Sequence, residues 1–148
     1  MTTAHDDLIL QVAGAYGLPF DLLQSQVVKE SSGHADAFRY ESAFYERYMK
    51  HNTSALGFSY GPLAACSYGL LQVMLETALE VAQFDGKPSD LFVPRIGLTI
   101  GAKVLKAYWD KLGGTPDTYK RALARYNGTG EAATQYADAI YVAAGRTS

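Results

Sequence analysis

A single cysteine, Cys66, stands in the 148 residues, so no intramolecular disulfide can form. The three histidines, His5, His34 and His51, are scattered, and no Cys/His set has the spacing of zinc ligands. No metal or organic cofactor is therefore expected. Cation is also in short supply. Lys and Arg number 13 against 15 Asp and Glu, a formal net charge of −2. A nucleic-acid binder needs a surplus of Lys and Arg to meet phosphates, so nucleic acid is not an expected partner. No run approaches the roughly 20 apolar residues that a bilayer-spanning helix requires, so membrane insertion is not expected either. The opening stretch, MTTAHDDLILQVAGAYG, carries acidic residues where a secretory signal would carry basic ones. Long alternating strand patterns, internal repeats and low-complexity segments are missing too.

What is present is helical periodicity. Apolar residues make up 48% and charged residues 19%, a globular composition. The length suits one compact domain over residues 1–148, able to bury roughly two-thirds of its unfolded surface without staples. Residues 5–16 place Leu8, Ile9, Val12 and Ala15 on one face, with Gly17 as the stop and Pro19 as the restart. The next helix carries Leu22, Leu23, Val27 and Val28, holds Glu30 in its last turn and ends at Ser31-Ser32-Gly33. Residues 40–50 read as a short helix with an aromatic face of Tyr40, Phe44, Tyr45 and Tyr48. Residues 52–66 read as a loop, with room for a short β-ribbon. A helix is expected from about Tyr68 to Gln83, broken at Gly86-Lys87-Pro88.

The longest periodic segment is 90–112, with Ile96, Ile100, Val104 and Leu105 on one face. Gly97 and Gly101, four apart, are the spacing of close helix packing. Thr115 and Pro116 read as N-cap and first residue of a helix over 115–126. Gly128 and Gly130 end it, and a last helix runs from about Glu131 to Ala144. The expected class is all-α, or α with a minor β-ribbon.

Three clusters hold chemistry-bearing side chains, and each alone has an ordinary explanation. Glu30 reads as a solvated carboxylate near a helix end, although the negative end of the helix dipole slightly disfavours it there. Ser67-Tyr68-Gly69-Leu70-Leu71-Gln72-Val73 reads as a capped core helix. Ala124-Arg125-Tyr126-Asn127-Gly128-Thr129-Gly130 reads as a helix C-terminus.

In combination and in order they are specific. Glu30-Ser31, then Tyr68-Gly69-Leu70-Leu71-Gln72, then Ala122-Leu123-Ala124-Arg125-Tyr126-Asn127-Gly128 resembles the soluble lytic transglycosylase family. That family's marks are Glu-Ser at a helix end, Gly-Leu-Met-Gln opening a second helix, and a later Ala-x-Ala-x-Tyr-Asn-x-Gly. ESSGHADAFRYE, from Glu30 to Glu41, is similar to a variant segment of phage and bacterial members, and the likeness spans about residues 20–143. Leu71 stands where Met is common, His34-Ala35 replaces Asn-Pro, and Gly128-Thr129 stands where the family has x-Gly.

The resemblance implies a lysozyme-like helical domain with a substrate cleft, acting on peptidoglycan glycan strands. Nothing in the sequence specifies an oligomer, and a monomer is favoured. The resemblance also implies Glu30 as the single catalytic acid and base. The muramic acid N-acetyl group would assist at the anomeric carbon, and the C6 hydroxyl would close a 1,6-anhydro ring. A carboxyl doing this at neutral pH needs an apolar setting that raises its pKa. Ser67, Gln72, Tyr126 and Asn127 would contact sugar or orient the carboxyl. Tyr68 is a stacking candidate, although it reads more readily as a core aromatic. Glu41 is the candidate for a second carboxylate, which would make a hydrolytic muramidase; its ordinary reading is a partner for Arg39. A non-catalytic glycan-binding domain and a chitin-cleaving variant are the remaining alternatives. A chain reading this way without a signal peptide is expected to be phage-encoded, as an endolysin or virion component, or exported by dedicated machinery.

Overall fold

The computed structural model describes residues 1–50 and 60–147. It is mostly helical with a small three-stranded sheet, as the patterning implied. Helix α1, Asp6–Tyr16, buries Ile9, Val12 and Ala13 and stops at Gly17, whose φ of 67° lets its N–H return to the Ala13 carbonyl. Helix α2, Phe20–Ser31, follows Pro19 and buries Leu22, Leu23 and Val27. A short helix α3, Ser42–Phe44, widens into a π-helical turn over Tyr45–Met49. Then come α4, Leu75–Val81; α5, Pro94–Lys111; α6, Tyr119–Asn127; and α7, Gly130–Ala143.

The core lies where α1, α2 and α7 close over α5 and α6. It contains Leu22, Leu23, Leu98, Leu105, Leu123 and Ile140, none more than 1% exposed. Each such side chain stabilises the fold by about 1.5–3 kcal/mol relative to leaving it in water. The Ser25 hydroxyl, buried on α2, donates to the Ile140 carbonyl of α7 (2.8 Å) and fixes how these two helices meet. Gly97 and Gly101 do permit close packing. A Cβ on Gly97 would lie 2.3 Å from the Leu91 carbonyl oxygen, and one on Gly101 would lie 2.7 Å from Leu71 side-chain atoms.

The strands are β1, Phe38–Tyr40; β2, Cys66–Tyr68; and β3, Val73–Met74, antiparallel in that order. Arg39 pairs with Ser67, and Tyr68 with Val73. The ribbon thus lies mainly outside the 52–66 segment. Residues 60–65 are helical turn, Cys66 alone of that segment joins the ribbon, and 52–59 lie outside the described residues.

The helix expected from Tyr68 to Gln83 is corrected to α4 alone. Tyr68 belongs to β2, and residues 69–72 form the tight turn into β3. Gly69 and Gln72 both take left-handed conformations, φ 78° and 47°, which end any helix there. The Gly69 N–H goes to the Ala37 carbonyl (2.8 Å), which ties the turn to the segment that leads into β1. The apolar run Leu70-Leu71-Val73 is satisfied by burial in the core rather than by a helical stripe. Thr115 shows a smaller shift, because it caps a 3₁₀ turn, Pro116–Thr118, that leads into α6.

Candidate active site

The three sequence clusters meet at the turn between β2 and β3. Ser31 ends α2, and its buried hydroxyl donates to the Leu70 carbonyl (2.9 Å), with the Val27 carbonyl also within reach (3.1 Å). From α6 the Tyr126 hydroxyl donates to the next carbonyl, Leu71 (2.7 Å). Within the turn, the Gln72 amide nitrogen donates to Ala37 and Gly69 (both 3.0 Å). The serine of the first cluster and the tyrosine of the third therefore clamp successive carbonyls of the second. Buried carbonyls need such partners, which gives a physical reason for the three clusters to occur together.

Beside this knot runs an open cleft of about 830 Å³. Its lining includes Ser67, Gln72, Val73, Met74 and Val104. Arg39, Glu41, Phe44 and Tyr48 also line it, as do Tyr108, Arg125, Tyr126, Asn127 and Tyr136. Glu30 reaches the cleft from the end of α2. Burial is the main influence on its carboxyl and pushes the pKa up from 4.5 to about 7. A hydrogen bond from Tyr136 and the charges of Arg39 and Lys29 pull the other way, and Glu41 adds slightly to the rise. A carboxyl so placed exchanges a proton near neutral pH and can act as either acid or base.

The residue holding Glu30 is Tyr136 of α7, which sequence reading did not single out. Its hydroxyl donates to Glu30 Oε2 (2.9 Å) and accepts from the Gln26 amide (3.1 Å). Gln26, one turn before Glu30 on α2, is fully buried, and its Oε1 has no partner. The usable signal was Gln26 itself, a polar residue among Leu22, Leu23 and Val27 and four before Glu30. Nothing local to Tyr136 distinguishes it from other helical tyrosines.

Of the residues singled out in sequence, Glu30, Glu41, Ser67, Gln72, Tyr126 and Asn127 all line the cleft. Tyr126 does so with its hydroxyl committed to Leu71 rather than to Glu30. Tyr68 points elsewhere. It is 2% exposed, packs edge-on against Phe38 and Phe92, and donates its hydroxyl to Leu63. Glu41 pairs with the Arg39 guanidinium at 3.2 Å. Cys66 is buried, and burial raises its thiol pKa, the opposite of nucleophile activation. The turn after Glu30 closes without the family's proline through bonds from His34 N to Ser31 and from Ala37 N to His34. Among the described residues, no three His, Cys, Asp or Glu side chains gather to hold a metal, and no helix is long and apolar enough to cross a membrane.

A family model described as the transglycosylase SLT domain matches residues 7–142 of the chain. No curated protein and no solved structure matches it.

Proposed function

The chain belongs to the transglycosylase SLT family, whose reaction is cleavage of peptidoglycan, and on that premise we propose that Glu30 is the single acid and base of a lytic transglycosylase. The bond broken is the β-1,4 link from the anomeric carbon of N-acetylmuramic acid to O4 of N-acetylglucosamine. Protonated Glu30 gives its proton to O4 as the C1–O4 bond breaks. The acetamido oxygen of the muramic acid stabilises the positive charge at C1. Ionised Glu30 then removes the C6 hydroxyl proton, and O6 attacks C1 and displaces the acetamido oxygen. The product is a 1,6-anhydro end, no water is consumed, and Glu30 ends protonated as it began.

The observation supporting this most directly is the pairing of burial with an open cleft at one carboxyl. Burial keeps a large fraction of Glu30 protonated at neutral pH, and the cleft gives a glycan strand access to it. Tyr136 occupies Oε2, which leaves Oε1 for the reacting oxygens, and Gln26 holds Tyr136 in turn. Ser67, Gln72, Tyr126 and Asn127 shape the wall around the bound sugars, with Gln72 and Tyr126 acting through the β2–β3 turn. The ion pair with Arg39 favours a structural role for Glu41 over that of a second catalytic carboxylate.

The test is mass spectrometry of the muropeptides that the protein releases from purified peptidoglycan. Anhydro ends, one water lighter than reducing ends, are expected. Reducing muramic acid ends would replace this reading with a hydrolytic muramidase. No release by folded protein would replace it with a binding domain.

A further inference from the structure

Gln26 is the buried side chain of α2 that packing explains least. Leu22, Leu23 and Val27 of the same helix pack into the core, and Gln26 is fully buried with them. An apolar side chain at this position would continue the stripe. The amide instead donates from Nε2 to the Tyr136 hydroxyl (3.1 Å), and its Oε1 has no partner among the described residues. A buried acceptor left unmet costs about as much as one hydrogen bond returns, or more. Stability therefore does not account for an amide here, and what remains is its effect on Tyr136.

A tyrosine hydroxyl has one hydrogen to donate. The Gln26 Nε2 can only donate, so the Tyr136 oxygen accepts on that side and its hydrogen goes to Glu30 Oε2 (2.9 Å). Turning that hydrogen toward Gln26 would set it against an N–H. While it points at Glu30, a proton on Oε2 would set O–H against O–H across the same 2.9 Å. The chain from Gln26 through Tyr136 to Glu30 thus runs in one direction, and the carboxyl proton is left on Oε1. Of the other groups acting on Glu30, Lys29 on α2, Arg39 on β1 and Glu41 just after it do so by charge. Tyr126 on α6 has its hydroxyl on Leu71. Tyr136 alone carries the influence of Gln26 to the carboxyl.

We infer that Gln26 is a positioning residue for the reaction: by donating to Tyr136 it holds the tyrosine as donor to Oε2 and keeps the transferable proton of Glu30 on Oε1. The inference rests on the proposed function and adds to it how the acid is loaded at the oxygen that Tyr136 leaves free. With an apolar side chain at position 26, no N–H opposes reversal of the chain. The Tyr136 hydrogen can then turn aside and Oε2 can take the proton, away from the leaving oxygen. Ionised Glu30 is affected as well, because a hydroxyl that accepts one hydrogen bond donates a stronger one. Gln26 does not line the cleft, so its contribution falls on turnover rather than on substrate binding.

The experiment uses Gln26→Met and Gln26→Leu, each alone and combined with Tyr136→Phe. Steady-state kinetics on soluble glycan strands, thermal melting and the ¹³C NMR titration of the Glu30 carboxyl are read for each. Either substitution alone should lower kcat about three- to tenfold, the worth of one hydrogen bond, with KM unchanged. The Glu30 titration, centred at about 7 in the wild type, should move upward, and the alkaline limb of kcat with it. The melting temperature should stay level or rise, because the unmet amide oxygen is gone. In the Tyr136→Phe background neither substitution should add to the loss that Tyr136→Phe causes. An undiminished further loss there would overturn the inference, as would a kcat loss that tracks a fall in melting temperature in both variants. The titration reads the coupling without turnover. An unshifted Glu30 titration in both variants would therefore overturn the inference alone, and a folded wild-type protein that cleaves no strand would overturn the proposed function.

Discussion

Glu30 is held between two regions built in different ways. On one side, α2, α6 and α7 present side chains from regular helices, and the polar contacts there join side chain to side chain: Gln26 to Tyr136, and Tyr136 to Glu30. On the other, the ribbon of residues 38–40 and 66–74 is held through its main chain. Ser31, Tyr126 and Gln72 all donate to its carbonyls or to those of the segments beside it. The helical side can be altered one functional group at a time with the scaffold left standing. The ribbon side carries its shape in backbone bonds, so changes there should register first as lost stability.

The largest effect expected from this contrast is at Glu30. Glu30→Gln keeps size and hydrogen bonding but has no proton to transfer, so the turnover of purified peptidoglycan should fall by roughly 10²–10⁴-fold with the fold intact by circular dichroism. Stability should move the other way. The folded-state pKa of about 7 lies above the ordinary 4.5, so ionisation opposes folding. That penalty is absent below pH ~4.5, grows as pH rises and is complete above pH ~7. Glu30→Gln should therefore gain stability on the wild type across that window, by up to about 3 kcal/mol. Near-normal activity in this variant would remove Glu30 from the mechanism.

The ribbon side gives the next effect. A Cβ on Gly69 would sit 2.4 Å from the Leu91 carbonyl oxygen, at a backbone φ of 78°. Gly69→Ala should cost about 3 kcal/mol or more in denaturant unfolding. A cost below ~1 kcal/mol would show that the turn is less constrained than its contacts imply.

Two tyrosines then separate the regions directly. Tyr126→Phe strands the Leu71 carbonyl and should cost about 1–3 kcal/mol of stability, with little change in the pH profile. Tyr136→Phe removes a bond that favours ionised Glu30. The alkaline limb of activity, expected near pH 7, should move upward, and the rate should fall about tenfold, the worth of one hydrogen bond to a charged group. If both variants lost only stability, the side-chain chain to Glu30 would have no catalytic part. The smallest effect is at Glu41. Glu41→Gln breaks a half-exposed ion pair and should alter turnover by no more than about threefold. A loss of orders of magnitude would turn the mechanism toward a two-carboxylate hydrolase.

The ends of α1 and α2 and the last helix were legible because a 3.6-residue apolar stripe bounded by Gly17, Pro19 and Gly130 admits little else. The stretch 68–74 was misread as helix because its leucines and valine fit a helical stripe as well as a buried turn. Periodicity cannot separate the two in so short a run. Most of the candidate cleft residues were found because they lie inside recognisable local clusters. Tyr136 and Gln26 were missed because their pairing joins residues 110 apart in sequence.

By itself, then, the sequence determined the helical class, the position of Glu30 at a helix end and the three clusters that mark the family. Those depend on residue type and near-neighbour spacing, which are written in the chain. Tertiary structure alone decided that Ser31 and Tyr126 clamp one turn, that Tyr68 faces inward, that Tyr136 holds the carboxyl and that burial brings Glu30 to a neutral pKa. Each of these depends on which distant groups a side chain meets and how much water reaches it, and long-range packing sets both.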